Sequence, residues 1–160
     1  MKKFELTSDF KVYLGKKLFR IKALSDFGDV KAGDLGGYVE KEENLAHDGN
    51  AWVSGNARVS GDARVSGNAH VSGNARVIGN ARVSESADIL WVTGLGTAHR
   101  TTTVFRTPDG IRIVCGCFFG DLEQFRKQVM GTRTGKVQEE YLKFAELVEI
   151  YFGKEEESEK

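Results

Sequence analysis

A stretch rich in glycine and hydroxyl groups, residues 94–106, contains the residue types that bind phosphate groups. Its glycines allow close backbone approach, its hydroxyl and backbone N–H groups can donate to phosphate oxygens, and its arginines supply charge-assisted bonds. The candidate ligand-binding residues are Thr97, His99, Arg100, Thr102 and Arg106. The stretch lacks the Lys-Ser/Thr pair of a P-loop and does not lead into a helix. The pattern predicts either a site for a small phosphorylated molecule or a flexible junction followed by a polar strand.

The remaining residues with reactive side chains form no complete catalytic or metal-binding set. Cys115 and Cys117 make a lone C-x-C pair, and a structural zinc site needs two further ligands at suitable spacing. The histidines are His47, His70 and His99, which are far apart in the sequence. We therefore predict no catalytic residue, no metal site and no cofactor, and we interpret the cysteines as packed structural thiols.

Six-residue repeats run without a gap from residue 49 to residue 90. These repeats are the main structural element that could position a site. They are GNAWVS, GNARVS, GDARVS, GNAHVS, GNARVI, GNARVS and ESADIL. Because side chains alternate along a strand, Ala and Val of each A-x-V share one face, while the Ser-Gly-Asn that follows favours a turn. A strand and a corner every six residues predict a three-sided parallel coil in which each unit is stabilised by its neighbours.

Three repeats per coil would stack residues that lie three repeats apart in the sequence. Val53, Val71 and Ile89 would then form one inward ladder. The outward positions would place Arg58 beside Arg76 and Arg64 beside Arg82. These arginines predict either a solvated charged face or a surface for an anion or an acidic partner.

The repeat resembles the hexapeptide repeat of left-handed β-helix proteins, because an aliphatic residue is followed four places later by a small one, as in Val53 and Ala57. The resemblance implies left-handed coils and a homotrimer. It also raises the possibility of an acyltransferase that uses a histidine as general base. The poor supply of histidines and the absence of a long loop between the coils disfavour that enzyme.

The chain ends predict modules on either side of the coils. The predicted fold class is mainly β: a left-handed parallel β-helix with an N-terminal β cap and a small C-terminal α+β module of ββαα order. The cap covers residues 1–36, the β-helix of about three coils 37–92, the C-terminal module 93–153 and a charged, disordered tail 154–160. The cap should contain a hairpin that turns at Gly15-Lys16. In the C-terminal module, two strands are expected at 101–106 and 111–115, joined by a turn at Pro108. Two helices are expected at 121–130, capped by Asp121, and at 137–152, with Tyr141 on its apolar face, and residues 131–136 are expected to link them.

The composition limits the classes of partner. The formal net charge is zero, which disfavours general nucleic-acid binding, although residues 91–136 carry seven basic against three acidic side chains. The sequence contains no apolar run of the kind that would predict a signal peptide or a membrane span. With two cysteines there is no disulfide framework, so the cytoplasm is the expected compartment.

Nearly the whole chain before the tail resembles an uncharacterised family of bacteriophages and prophages. The residues that carry the resemblance are Asp26-Phe27-Gly28-Asp29-Val30-Lys31-Ala32-Gly33 with Gly36-Gly37, the G-[ND]-A-R-V array, and Cys115-Gly116-Cys117-Phe118 with Gly120, Leu122 and Phe125. The resemblance implies a viral protein in the cytoplasm of an infected or lysogenic bacterial host, without implying an activity.

Three functions fit the sequence. The first is a non-enzymatic homotrimer that sequesters a small phosphorylated ligand, such as a nucleotide signal of host immunity, and so acts as an anti-defence sponge. The second is an antagonist that binds a host or defence protein, in the manner of an anti-CRISPR protein. The third is an enzyme related to hexapeptide acyltransferases.

Overall fold

The structure, a computed structural model, describes residues 2–153 and is mainly β with a helical C-terminal part. The predicted disordered tail, residues 154–160, lies outside the described residues. The chain divides into two compact units, the first ending at Ile89 and the second beginning at Leu90. Among residues 2–153, no helix combines the length and the apolar composition that crossing a bilayer requires.

The first unit opens with an antiparallel hairpin that leads directly into the repeats. Its strands are β1 (Phe4–Tyr13), β2 (Lys16–Ala23) and β3 (Leu35–Val39). The hairpin was predicted to turn at Gly15 and Lys16, whereas the structure places the turn at Leu14 and Gly15, with Leu14 at a φ of 51°. The predicted boundary between cap and coils, after residue 36, falls inside β3.

The repeats form a series of two-residue strands that pair one coil apart. They are β4 (Trp52–Val53), β5 (Arg58–Val59), β6 (Arg64–Val65), β7 (His70–Val71), β8 (Arg76–Val77) and β9 (Arg82–Val83). The parallel pairs β4–β7, β5–β8 and β6–β9 confirm the predicted stacking, with Arg58 opposite Arg76 and Arg64 opposite Arg82. Strand β3 also pairs in parallel with β5, so the hairpin and one face of the coils form a continuous sheet.

The core of the coils is a narrow column of small and β-branched side chains. The first six repeats bury both residues of A-x-V almost completely, from Ala51 and Val53 to Ala81 and Val83. The seventh repeat was predicted to continue this pattern, but Ala87 lies in an exposed 3-10 turn, Ser86–Asp88. The Asp88 carboxylate accepts hydrogen bonds from the Ser84 and Glu85 N–H groups at 2.9 and 3.1 Å, which stabilises this turn.

Hydrogen bonds between coils have backbone N–H donors in the later coils, whereas at the first coil some of the donors are side chains. In later coils, the carbonyls of Ala69, Ala75 and Ala81 each accept an N–H from the preceding coil, as Ala81 does from Arg64 at 3.0 Å. At one corner of the first coil, the side chain of Asn44 supplies the donor: its Nδ2 donates to the carbonyls of Ala63 and Gly61 at 2.9 and 3.2 Å. Asn44 is fully buried, and its side chain donates the hydrogen bond that a strand N–H donates in later coils.

Lys3 performs the same task at another corner of the first coil. Its Nζ donates to the carbonyl of Ala51 at 2.7 Å and lies 4.6 Å from the centre of the Phe27 ring. Burial lowers the pKa of Lys3 from 10.5 to about 8, against the opposing effect of the Asp48 charge. The buried ammonium thus satisfies an edge carbonyl at the cost of desolvation.

This depressed pKa predicts a specific pH dependence of stability. Between pH 8 and 10.5 the unfolded chain keeps the Lys3 proton while the folded chain releases it, so the free energy of unfolding contributed by Lys3 rises with pH. We expect the difference in unfolding free energy between wild type and Lys3→Met to grow by roughly 1–3 kcal/mol across this window. Urea denaturation at pH 7, 8.5 and 10 measures it, and parallel pH profiles for the two proteins would contradict it.

The second unit combines a sheet with two helices. Its strands are β10 (Ile89–Leu95), β11 (Arg100–Thr107), β12 (Gly110–Cys115) and β13 (Phe118–Gly120), in this order across the sheet. The helices are α1 (Leu122–Thr132) and α2 (Gly135–Val148), and a π-helical turn, Glu149–Gly153, follows. The predicted ββαα order is therefore incomplete, because β10 and β13 add to the β11–β12 hairpin.

The predicted helix starts have different outcomes. Asp121 caps α1 as expected, since its carboxylate accepts the Gln124 N–H and the Gln124 side chain accepts the Asp121 N–H, both at 2.8 Å. The linker predicted at 131–136 is shorter in the structure, because α1 extends to Thr132 and α2 begins at Gly135. The helices and the sheet enclose a core that includes Val104, Phe125 and Phe144.

Candidate functional site

A pocket of about 220 Å³ lies in the second unit. Its lining residues come from the sheet, the C-x-C turn and both helices: Arg100, Cys115, Cys117, Phe118, Phe125, Gln128, Val129, Thr132, Arg133 and Tyr141. This lining places two guanidinium groups and several hydrogen-bonding groups around a partly apolar floor. Apolar surface together with polar groups that converge on one cavity is found in small-molecule sites.

Two arginines bring positive charge to the pocket from separate elements. Arg100 is the first residue of β11, and Arg133 follows the last residue of α1. Gly116 adopts a φ of 58°, and a Cβ at this position would lie 3.2 Å from Arg100 Nε, so glycine allows the guanidinium to approach the C-x-C turn. Within residues 2–153 neither guanidinium forms an ion pair or a hydrogen bond, which leaves both available to an anion.

A short chain of hydrogen bonds fixes the polar wall of the pocket. The Thr102 hydroxyl donates to Cys115 Sγ at 3.3 Å, this thiol donates to the Tyr141 hydroxyl at 3.7 Å, and Tyr141 donates to the Leu95 carbonyl at 3.4 Å. Burial and the hydrogen bond with Cys115 raise the pKa of Tyr141 to about 12, although Arg133 and Arg100 oppose the shift. Tyr141 is therefore neutral at physiological pH and does not neutralise the two arginines.

Aromatic side chains form the apolar floor. Phe118 and Phe125 meet edge to face with ring centres 5.6 Å apart, and Phe125 meets Tyr141 in the same way at 5.9 Å. Phe125 and Val129 are buried, whereas Phe118 is half-buried. The partly accessible Phe118 ring offers a planar surface against which an apolar part of a ligand could pack.

The five ligand residues predicted from the sequence are separated in the structure. Arg100 lines the pocket, and Thr102 lies behind Cys115. Thr97 and His99 lie in the exposed turn between β10 and β11, where His99 Nδ1 lies 3.1 Å from the Gly94 carbonyl. The guanidinium of Arg106 lies 5.1 Å from the centre of the Phe152 ring. The structure therefore brings only part of the predicted stretch to the pocket.

Sequence reasoning did not select most of the pocket residues, notably Arg133, Tyr141 and Gln128. Arg133 lies in the segment predicted as a linker, and Tyr141 was assigned only to the apolar face of the second helix. The two cysteines were noted but interpreted as structural. Cys117 lies in the turn between β12 and β13 and is exposed, whereas Cys115 ends β12. An arginine directly after an amphipathic helix was the one available signal.

The outward arginines of the coils form two different surfaces. Tyr13 covers the first: its ring centre lies 4.1 Å from the Arg58 guanidinium and 5.4 Å from that of Arg76, and Arg76 also donates to the Tyr13 hydroxyl. Arg64 and Arg82 remain exposed on the other surface. The predicted anion or partner face is therefore accessible at Arg64 and Arg82 and covered at Arg76.

The histidines lie in separate environments and form no metal site with other described residues. His47 Nδ1 accepts the Lys3 N–H at 3.0 Å, so its Nε2 carries the proton and donates to the Glu42 carboxylate at 2.8 Å. His70 is exposed beside Trp52 in the β4–β7 pair. In the described part of the chain, no three side chains of the metal-binding types converge.

Comparison with known proteins finds similarity in the repeats. The family model described as YdcK beta solenoid repeat matches residues 51–67, 57–73 and 69–85. The protein named "Uncharacterized acetyltransferase YdcK" from Escherichia coli (strain K12) is 50% identical over 36 residues. That alignment covers 22% of this chain and 11% of the Escherichia coli protein. The coils are thus similar to a β-solenoid repeat, and the family model matches no residue of the pocket.

Proposed function

We propose that the second unit binds a small phosphorylated ligand, with Arg100 and Arg133 holding the phosphate. The observation that carries this proposal is a pair of guanidinium groups that line one pocket without an ion-pair partner among residues 2–153. Arginine suits phosphate because its planar fork can form two parallel charge-assisted hydrogen bonds. The neutral Tyr141 and the amide of Gln128 add no negative charge that would repel such a ligand.

The rest of the pocket selects the remainder of the ligand. Phe118 and Phe125 favour a planar or apolar group, so a nucleotide fits better than inorganic phosphate. The volume of about 220 Å³ is below the usual range for a drug-sized ligand, about 300–1,000 Å³. A nucleotide would therefore bury its phosphate and part of its base while the remainder stays in solvent.

The proposed biological role is sequestration rather than catalysis. We propose a homotrimer of left-handed β-helices that removes a nucleotide signal of host immunity in the cytoplasm of a bacterial host. The pairing of strands one coil apart supports the stacked coils, while the left hand and the trimer are inferred from the resemblance of the hexapeptide spacing to left-handed β-helix proteins. A symmetric oligomer would present one pocket per subunit.

Native mass spectrometry with a panel of cyclic and linear nucleotides tests this function. We expect the purified protein to appear as a trimer that retains one nucleotide per subunit for at least one member of the panel. A trimer that retains no nucleotide at concentrations up to 1,000 times that of the protein would contradict the binding function. A monomer that retains a nucleotide would support the pocket and contradict the assembly.

An acetyltransferase is a second candidate, favoured by the similarity of the coils to YdcK. His70 is the histidine within the matched repeats, and its exposed ring is accessible to a substrate. If the chain transfers acetyl groups, it should release free thiol from acetyl-coenzyme A with an amine acceptor, and His70→Ala should abolish that release. Thiol release at the background rate would exclude this candidate for the acceptors tested.

A further inference from the structure

The exposed arginine surface of the coils forms a groove of about 500 Å³. The groove shares no lining residue with the pocket of the second unit. The charged and polar residues that line it are Lys41, Glu43, Asp62, Arg64, Asn80 and Arg82. Arg64 and Arg82 are neighbours in the parallel β6–β9 pair, so their side chains project from adjacent coils roughly 4.8 Å apart. The groove therefore follows the direction in which the coils stack.

The guanidinium of Arg82 is held in place by the coil backbone. Its Nη1 lies within hydrogen-bond distance of the carbonyls of Asp62, Asn80 and Ala81, at 3.0, 3.1 and 2.9 Å. Its Nε and Nη2 form no bond with any described residue. Because the side chain is already ordered, an anion that binds Nε and Nη2 loses little of its binding energy to immobilising the arginine.

The other two cations of the groove complete a mixed-charge surface. Arg64 is exposed, and within residues 2–153 its side chain forms no hydrogen bond or ion pair. Lys41 pairs with the exposed carboxylate of Asp62 at 3.2 Å. Glu43 supplies a second carboxylate. The groove therefore offers guanidinium groups to carboxylates and carboxylates to N–H donors.

From this arrangement we propose that the groove binds an acidic segment of a partner protein in an extended conformation. Carboxylate side chains of the segment bind Arg64 and Arg82, while its backbone N–H groups donate to Glu43 and Asp62. The two carboxylates disfavour a nucleic acid, whose phosphates form a continuous negative chain without backbone donors. This interaction is independent of the phosphorylated ligand proposed for the second unit.

Fluorescence anisotropy with fluorescein-labelled hexaglutamate tests the groove. We expect wild type to bind the peptide and Arg64→Gln with Arg82→Gln to weaken binding at least tenfold. Raising the ionic strength from 0.05 to 0.5 M should also weaken it, because exposed charges are screened. The matched control is Lys127→Gln with Lys143→Gln, which removes two exposed positive charges from the helices and should change the affinity less than twofold.

A second variant covers the case in which Arg82→Gln perturbs the coil. Arg64→Gln changes a side chain that forms no hydrogen bond or ion pair with any described residue, and it should still weaken binding about threefold. Equal affinity for wild type and both groove variants would overturn the proposal. So would a fluorescein-labelled oligothymidylate that binds more tightly than hexaglutamate and is lost in the same variants, since that result would assign the groove to nucleic acid.

Discussion

Replacing both Arg100 and Arg133 with glutamine should reduce affinity for the nucleotide retained by wild type at least 100-fold. Hydrogen bonds to charged groups contribute about 1.5–3 kcal/mol each, so two such contacts represent roughly 3–6 kcal/mol of binding free energy. A 100-fold loss corresponds to about 2.7 kcal/mol and lies below that range. Glutamine keeps a polar side chain of intermediate length while removing the charge. Isothermal titration calorimetry on wild type and variant measures the change.

Two comparisons make this result specific to the pocket. Lys127→Gln with Lys143→Gln changes the net charge equally but alters exposed lysines outside the pocket lining, so affinity should remain within threefold. The single variant Arg106→Gln separates the pocket from the stretch predicted by sequence. If Arg106→Gln alone costs as much as the double variant, the ligand lies along β11 and the pocket assignment is wrong.

Substitution of Asn44 should cause a large loss of stability in the first unit. Its Nδ2 donates to two carbonyls, while its Oδ1 accepts the N–H groups of Lys41 and Glu40 at 2.9 and 3.1 Å. Asn44→Leu would leave three of these groups, the Lys41 N–H and the carbonyls of Gly61 and Ala63, without a partner among the described residues, and each such group costs about 1–3 kcal/mol when it stays unsatisfied. The Glu40 N–H keeps its hydrogen bond to the Val59 carbonyl at 3.0 Å. Because partial hydration offsets some of that cost, we expect a loss of roughly 3–5 kcal/mol in unfolding free energy.

Chemical denaturation followed by circular dichroism provides the measurement for Asn44. The matched control is Asn56→Leu, since Asn56 is an exposed repeat asparagine whose side chain has no hydrogen bond to any described residue. We expect this control to change stability by less than about 1 kcal/mol. Similar losses in the two variants would show that the side chain of Asn44 does not cap the first coil.

The coils could be predicted because their information is local and repeated. Ala and Val recur at fixed positions, and the pairing of Arg58 with Arg76 follows from the period alone. The turn at Pro108 and the cap at Asp121 could be predicted for the same reason, since each depends on a few adjacent residues. In contrast, Thr93 and Gly94 interrupt the apolar alternation of β10, so the strand was interpreted as a junction.

The candidate site depended on contacts that no local pattern encodes. Arg100 and Tyr141 are far apart in the sequence, yet both line the pocket. Arg133 joins them because α1 extends to Thr132 and positions the residue that follows it. The cover that Tyr13 places over Arg58 likewise requires the β1–β2 hairpin to reach the coil face. Such arrangements depend on tertiary packing, which overrides the residue pattern of each segment.

The side chains of Lys3 and Asn44 also have a consequence for self-assembly. An uncapped coil presents a row of free carbonyls to which another chain can add by strand pairing, the first step of fibril growth. The two side chains occupy the carbonyls of Ala51 and Ala63, so these carbonyls are not available to pair with a strand of another chain. The contacts of these two side chains therefore mark the first coil of the solenoid, and we expect them to oppose end-to-end polymerisation through this edge.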